Sequence, residues 1–173
     1  LAKKKQVDLY IDAEWYLNQR IFLIGYSYDL KNFGQLYGSK LTLRNFKRIL
    51  KKVDGYVFIY GPDVGMIEKF FGWKFRNKYR CVNLIKVFKD SLKKGSFKLK
   101  DVEQRFGIKR KVMKYKIDIT TIWKDWRSPV KRKAVLLYNK EDVINLVRLA
   151  MKIFAKYHVK TRYLNKIRLK QAA

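Results

Sequence analysis

The sequence predicts a mixed α/β domain, a sheet carrying helices on its faces. Three observations lead there. Residues 7–14 alternate apolar with polar side chains. Two more strand-like segments follow closely, joined through turn residues. Beyond them, helical spacing alternates with a short continuous apolar run.

Val7, Leu9, Ile11 and Ala13 alternate with Asp8, Tyr10, Asp12 and Glu14, the period-two pattern of a strand. Residues 20–28 (RIFLIGYSY) read as a second strand. The turn residues 29–32 lead to a third near Phe33 to Tyr37, completing an antiparallel meander. Leu43, Phe46, Leu50 and Val53 then fall at helical spacing, with Thr42 or Ser39 available as a cap and Gly55 beyond the end. Residues 56–60 (YVFIY) suit a buried parallel strand. Gly61-Pro62-Asp63 opens an amphipathic segment with Met66, Ile67, Phe70 and Phe71, stopped by Gly72. Residues 81–92 fit strand or helix, with helix favoured from Leu84 onward. A helix carrying Leu99, Val102 and Phe106 stops at Gly107. Residues 109–129 read as irregular and basic. A long helix follows from about Lys133 to His158, judged by Leu137, Ile144, Val147, Met151 and Phe154. The expected organisation is one domain over 1–158 and a basic tail over 159–173, a partly ordered arm that folds on nucleic acid.

Composition narrows the partners. The 173 residues include 42 Lys plus Arg against 14 Asp plus Glu, a formal net charge of +28. Such a chain is drawn to polyanions, and nucleic acid is the expected partner. A hot-habitat surface would enrich Glu alongside Lys, and only four Glu are present. One Cys and one His exclude an internal disulfide and a Cys/His zinc site, which suits a reducing cytoplasm. No apolar run approaches membrane-spanning length. The chain starts at Leu1, as expected of a trimmed chain or a piece of a longer one.

Acids are scarce, so their positions matter. Asp12 and Glu14 sit two apart on a strand and project together. Paired carboxylates repel unless protonated or bridged by a cation, and hard oxygen ligands suit Mg²⁺ or Mn²⁺. Asp63 follows the buried run 56–60, where α/β sheets place function, although alone it also fits a helix cap. Tyr138 and Asp142 are four apart and share a helix face, where a boundary tyrosine beside a solvated acid is the plainer alternative.

In this order and spacing the motifs resemble the DEDD exonucleases of the RNase H-like superfamily, and most closely the YprB-like ribonuclease H-like domain proteins. The resemblance rests on Asp12-Ala13-Glu14, on "FLIGYSY", on Tyr60-Gly61-Pro62-Asp63, on Ser96 through Arg110, and on Tyr138 through Asp142 continuing into VINLVRL. It covers roughly residues 7 to 151. It implies an RNase H-like five-stranded sheet, three antiparallel strands then parallel ones. It implies a two-metal 3′–5′ exonuclease on DNA or RNA, with Asp12, Glu14, Asp63 and Asp142 binding two divalent ions, Mg²⁺ or Mn²⁺. Tyr138 would orient or activate the water. The histidine version of the family places that residue one position earlier, where this chain has Leu137.

The chain departs from the family pattern in three places. Trp15 stands where many relatives have Thr, GPD compresses the second motif, and Asn83 stands where many have Asp. For substrate, Trp15 is the candidate stacking residue, with a packed core tryptophan the alternative, and Lys109 and Arg110 are candidate phosphate contacts, with a solvated basic loop the plainer alternative. The competing reading is the same fold used as a basic binding platform with weak or no catalysis. A junction resolvase on this fold is disfavoured by the YxxxD element.

Overall fold

The computed structural model describes residues 6–118 and 120–171. Residues 1–5 of the expected domain, Ile119 of the basic stretch and the last two residues of the expected tail lie outside it. Three strands open the fold: β1 (Leu9–Trp15), β2 (Ile21–Ser27) and β3 (Phe33–Tyr37). Next come α1 (Leu43–Leu50), β4 (Tyr56–Ile59), α2 (Asp63–Phe71), β5 (Arg80–Asn83) and α3 (Leu84–Leu92). The remainder is helical: α4 (Leu99–Arg105), α5 (Lys114–Ile117), α6 (Thr120–Arg127), α7 (Arg132–Lys156) and α8 (Thr161–Ile167).

The sheet order is β3-β2-β1-β4-β5. β1 pairs antiparallel with β2, and β2 with β3. β4 pairs parallel with both β1 and β5. This is the expected five-stranded mixed sheet. The ambiguous segment 81–92 resolves into both alternatives in turn, a four-residue strand and then a helix capped by the Asn83 side chain on the Ile85 amide.

Strand alternation divides the core. Leu9, Ile11 and Ala13 of β1 pack with Phe46, Ile49 and Leu50 of α1 and with Val64 and Ile67 of α2. Tyr10 packs on the other face with Phe58, with α3 and with Val143, Leu146 and Val147 of α7. The fully buried large aliphatic and phenylalanine side chains among these each contribute about 1.5–3 kcal/mol. The caps follow the sequence. Thr42 accepts from the Asn45 amide at the start of α1, and Gly72 closes α2 at φ 63°.

Three expectations need correction. The stretch 109–129 is not irregular: α5 and α6 bury Tyr115, Ile122 and Trp126 against Phe22 and Tyr138. Its aromatics are spaced too irregularly for a periodic signal, yet each finds a core partner. The segment after 158 is not a loose arm. Leu164 of α8 enters the core, Asn165 accepts from the Tyr56 hydroxyl at 2.7 Å, and the Leu169 amide donates to the Cys81 carbonyl at 2.8 Å. The long helix is present, but Leu137 and Met151 face solvent at 40% and 55% exposure, while Tyr138, Asn139, Asp142 and Asn145 face inward.

Candidate active site

Asp12 and Glu14 lie on the face of β1 turned toward α7. They stand just past the residues of β1 that pair with β4. Asp63 is the first residue of α2, directly beyond the end of β4. Tyr138 and Asp142 come down from α7. All five side chains line one cleft, together with Trp15, Leu17, Tyr60, Lys116 and Trp123. Carboxylate oxygens of Asp12, Glu14 and Asp142 lie within 4.8 Å of one another. Asp63 is outside that trio but in the same cleft, 2% exposed, and its Oδ2 is buried without a hydrogen-bond partner. Pro62, not Asp63, is the N-cap of α2, so the cap alternative does not account for Asp63.

The acids are electrostatically strained against each other. Burial and then the Asp142 charge push the Asp12 carboxyl up to about 8, with Lys116, Arg110 and Asn139 opposing. Glu14 is held well above the carboxylate range by burial and then by Asp12 and Asp142. Asp63 is raised by burial and by the same two neighbours. Tyr138 is also raised, by burial and then by Asp142, Glu14 and Asp12, so its phenol keeps its proton at neutral pH.

Residues outside the predicted catalytic set hold this arrangement. Asn139 donates from Nδ2 to Asp12 Oδ2 at 2.9 Å, and its Oδ1 accepts from Gln35 Nε2 at 2.9 Å. Asn83 accepts from the Gly61 amide at 3.2 Å and donates to the Gly61 carbonyl at 3.0 Å, fixing the loop that delivers Asp63. An aspartate at 83 could not make the second bond. Glu141 accepts from the Lys111 and Val112 amides, tying the loop before α5 to α7. Lys116, in the stretch read as irregular, places Nζ 3.0 Å from Asp142 and 4.9 Å from the Tyr138 ring centre. No local pattern around Lys116 marks it, since its role depends on how α5 packs.

The three candidate substrate contacts separate. Trp15 lines the cleft half-buried, and its carbonyl accepts from Trp123 Nε1 at 3.0 Å. Lys109 is exposed. Arg110 is a correction: its side chain is 2% exposed and paired with both Glu103 and Asp142, so it faces the site from inside and offers phosphate no open surface. A neighbouring lysine in a basic run gives no sign of this burial.

Comparison with known proteins agrees with the geometry. The RNase_H_2 sequence profile, of the RNase_H superfamily, matches residues 9–154. The chain belongs to the RNase H superfamily. This RNase H superfamily domain also shares its fold with the family B DNA polymerase of the hyperthermophilic archaeon Pyrobaculum calidifontis. The TM-score is 0.70 at 16% identity, over 95% of this chain and 27% of the polymerase. The chain thus spans about a quarter of that protein's length. Comparison with curated proteins finds no match. Superfamily membership and the carboxylate cluster together support a nuclease. Among the described residues no helix is long and apolar enough to cross a membrane.

Proposed function

We propose that the chain is a metal-dependent 3′–5′ exonuclease of the DEDD type with a tyrosine, hydrolysing phosphodiester bonds of DNA or RNA. The carrying observation is the convergence of Asp12, Glu14 and Asp142 within 4.8 Å, with Asp63 and Tyr138 in the same cleft. The donor set fits Mg²⁺ or Mn²⁺: hard carboxylate oxygens, mutual repulsion that a divalent cation relieves, and a buried Asp63 oxygen still lacking a partner. Asp12, Glu14, Asp63 and Asp142 would hold two ions, which when bound supply Lewis acidity at the scissile phosphate.

The chain's own groups do the rest. Asn139 fixes the rotamer of Asp12. Tyr138, whose phenol is pushed up by burial and then by the neighbouring acids, would orient or activate the water. Lys116 carries a positive charge at the cleft wall, where it can meet a phosphate oxygen once Asp142 engages an ion. Trp15 offers an aromatic surface for a terminal base, and exposed Lys109 offers a cation to the backbone.

One observation favours a second reading, a basic binding platform with weak catalysis. Asp142 is already engaged by Arg110 and Lys116. The deciding experiment is degradation of 5′-labelled single-stranded DNA and RNA with Mg²⁺, Mn²⁺ or EDTA, by wild type and Asp12→Ala. The exonuclease gives a metal-dependent ladder shortening from the 3′ end that the variant lacks. Tight binding with no cleavage in either metal leaves the platform.

A further inference from the structure

The cleft accounts for few of the 42 lysines and arginines. Away from it, a groove runs between α1 and the segment after α2. Arg44, Lys47, Arg48 and Lys51 line one side, and Trp73, Lys78 and Tyr79 line the other. A second concavity starts from the same Lys78 and Tyr79 and continues to Lys166, Arg168 and Lys170. The shared residues make the two a continuous track. No aspartate or glutamate lines either part. Among the described residues, Arg44, Lys47, Arg48, Lys51 and Lys78 form no ion pair.

The spacing is specific. Positions 44, 47, 48 and 51 are i, i+3, i+4 and i+7, so four cations stack along one face of α1 and its last turn. Like charges at this spacing repel, and a polyanion laid along the stripe relieves the repulsion. Trp73 is a wall of the track more than a free stacking platform. Lys47 Nζ stands 4.9 Å from its ring centre and Tyr79 meets it edge-on. The surface therefore suits phosphates in preference to bases.

Its place relative to the cleft follows from α2. That helix begins at Asp63 in the cleft and ends two residues before Trp73. Nine helical residues span about 14 Å, roughly four phosphate spacings along one strand.

We propose that this track is a second nucleic-acid-binding surface, gripping the phosphate backbone some four or more nucleotides from the cleft. It rests on the nuclease reading only for the identity of the polyanion.

The test is anisotropy of a labelled oligonucleotide of about 20 nucleotides, single-stranded and duplex, in EDTA over a salt series. The fourfold variant Arg44→Ala/Arg48→Ala/Lys51→Ala/Lys78→Ala should lose about tenfold or more in affinity. For duplex, its salt slope should fall by up to about 0.9 per phosphate contact removed. A control of equal charge change on another face, Lys89→Ala/Lys94→Ala/Lys98→Ala/Lys100→Ala, should lose little. A dinucleotide too short to reach the track should be cleaved by both at the wild-type rate. Should the fourfold variant fold poorly, the exposed single replacements Lys51→Glu and Lys78→Glu give the same comparison. Equal losses in the two fourfold variants, or unchanged affinity in the track variants, would overturn the proposal. Track-dependent binding by a wild type that cleaves nothing would retain the track and remove the exonuclease.

Discussion

Asn139 lies directly over Gly25. Asp12, Gly25 and Gln35 occupy one row across β1, β2 and β3, and the Asn139 amide bridges from Gln35 to Asp12 across the middle of that row. A Cβ at position 25 would collide with Asn139 Oδ1 and come within 2.9 Å of Val143 Cγ2. Only glycine lets α7 approach closely enough for the bridge.

Gly25→Ala should therefore destabilise the fold by about 1–3 kcal/mol and also displace Asn139. Asn139→Leu should remove the bridge alone. Both are expected to slow cleavage about 10–100-fold, the usual effect of losing a group that orients a metal-binding carboxylate, while oligonucleotide affinity in EDTA holds. A wild-type rate in Gly25→Ala would show that the close approach is unrelated to the chemistry.

Arg110 is paired with Glu103 and Asp142 while almost wholly buried. Arg110→Met would leave two buried carboxylates facing each other, a loss of about 3–5 kcal/mol. Adding Glu103→Leu should recover part of it. Urea unfolding of the single and double variants checks this, and additive losses would argue against the pair.

The site acids should contribute less to the stability of the metal-free fold as pH rises. Asp12 is raised from 3.8 to about 8, so between those values the folded state holds a proton that the unfolded chain has released. Stability contributed by this group is thus present at low pH and declines as pH rises from about 4 toward 8. Glu14 and Asp63 act in the same direction. In EDTA, Asp12→Asn should gain Tm relative to wild type progressively over that window. Mg²⁺ or Mn²⁺ should raise the wild-type Tm more at pH 8 than at pH 5, and a metal effect independent of pH would contradict the shared cause.

Tyr138→Phe should reduce turnover by about 100-fold through lost orientation. Because the phenol is pushed above its ordinary value, the loss should be uniform across the neutral and mildly alkaline range. A deficit confined to high pH would instead make Tyr138 a base.

The sequence made the sheet and the five candidate residues legible, for different reasons. Period two in β1 and the glycine stops of the helices are local signals. The acids stand out because the chain has so few. Leu137 and Met151 were misjudged because apolar periodicity counts them inward, whereas α7 turns Tyr138, Asn139, Asp142 and Asn145 inward and leaves those two exposed. Lys116 and Asn83 reach partners distant in the chain, Asp142 and Gly61, and Arg110 pairs with distant Asp142 as well as with nearby Glu103, so their own neighbourhoods do not announce the site they join.

The bond from the Leu169 amide to the Cys81 carbonyl caps part of the outer edge of β5. An uncovered edge of a sheet recruits strands from other molecules. Cys81 is fully buried, and its thiol is pushed up to about 12 by that burial, then by the Glu68 charge. The segment around Leu169 therefore covers part of that edge, with the Cys81 thiol buried beneath it. A version ended at residue 158 should self-associate and turn reactive toward thiol reagents even with the carboxylate cleft intact.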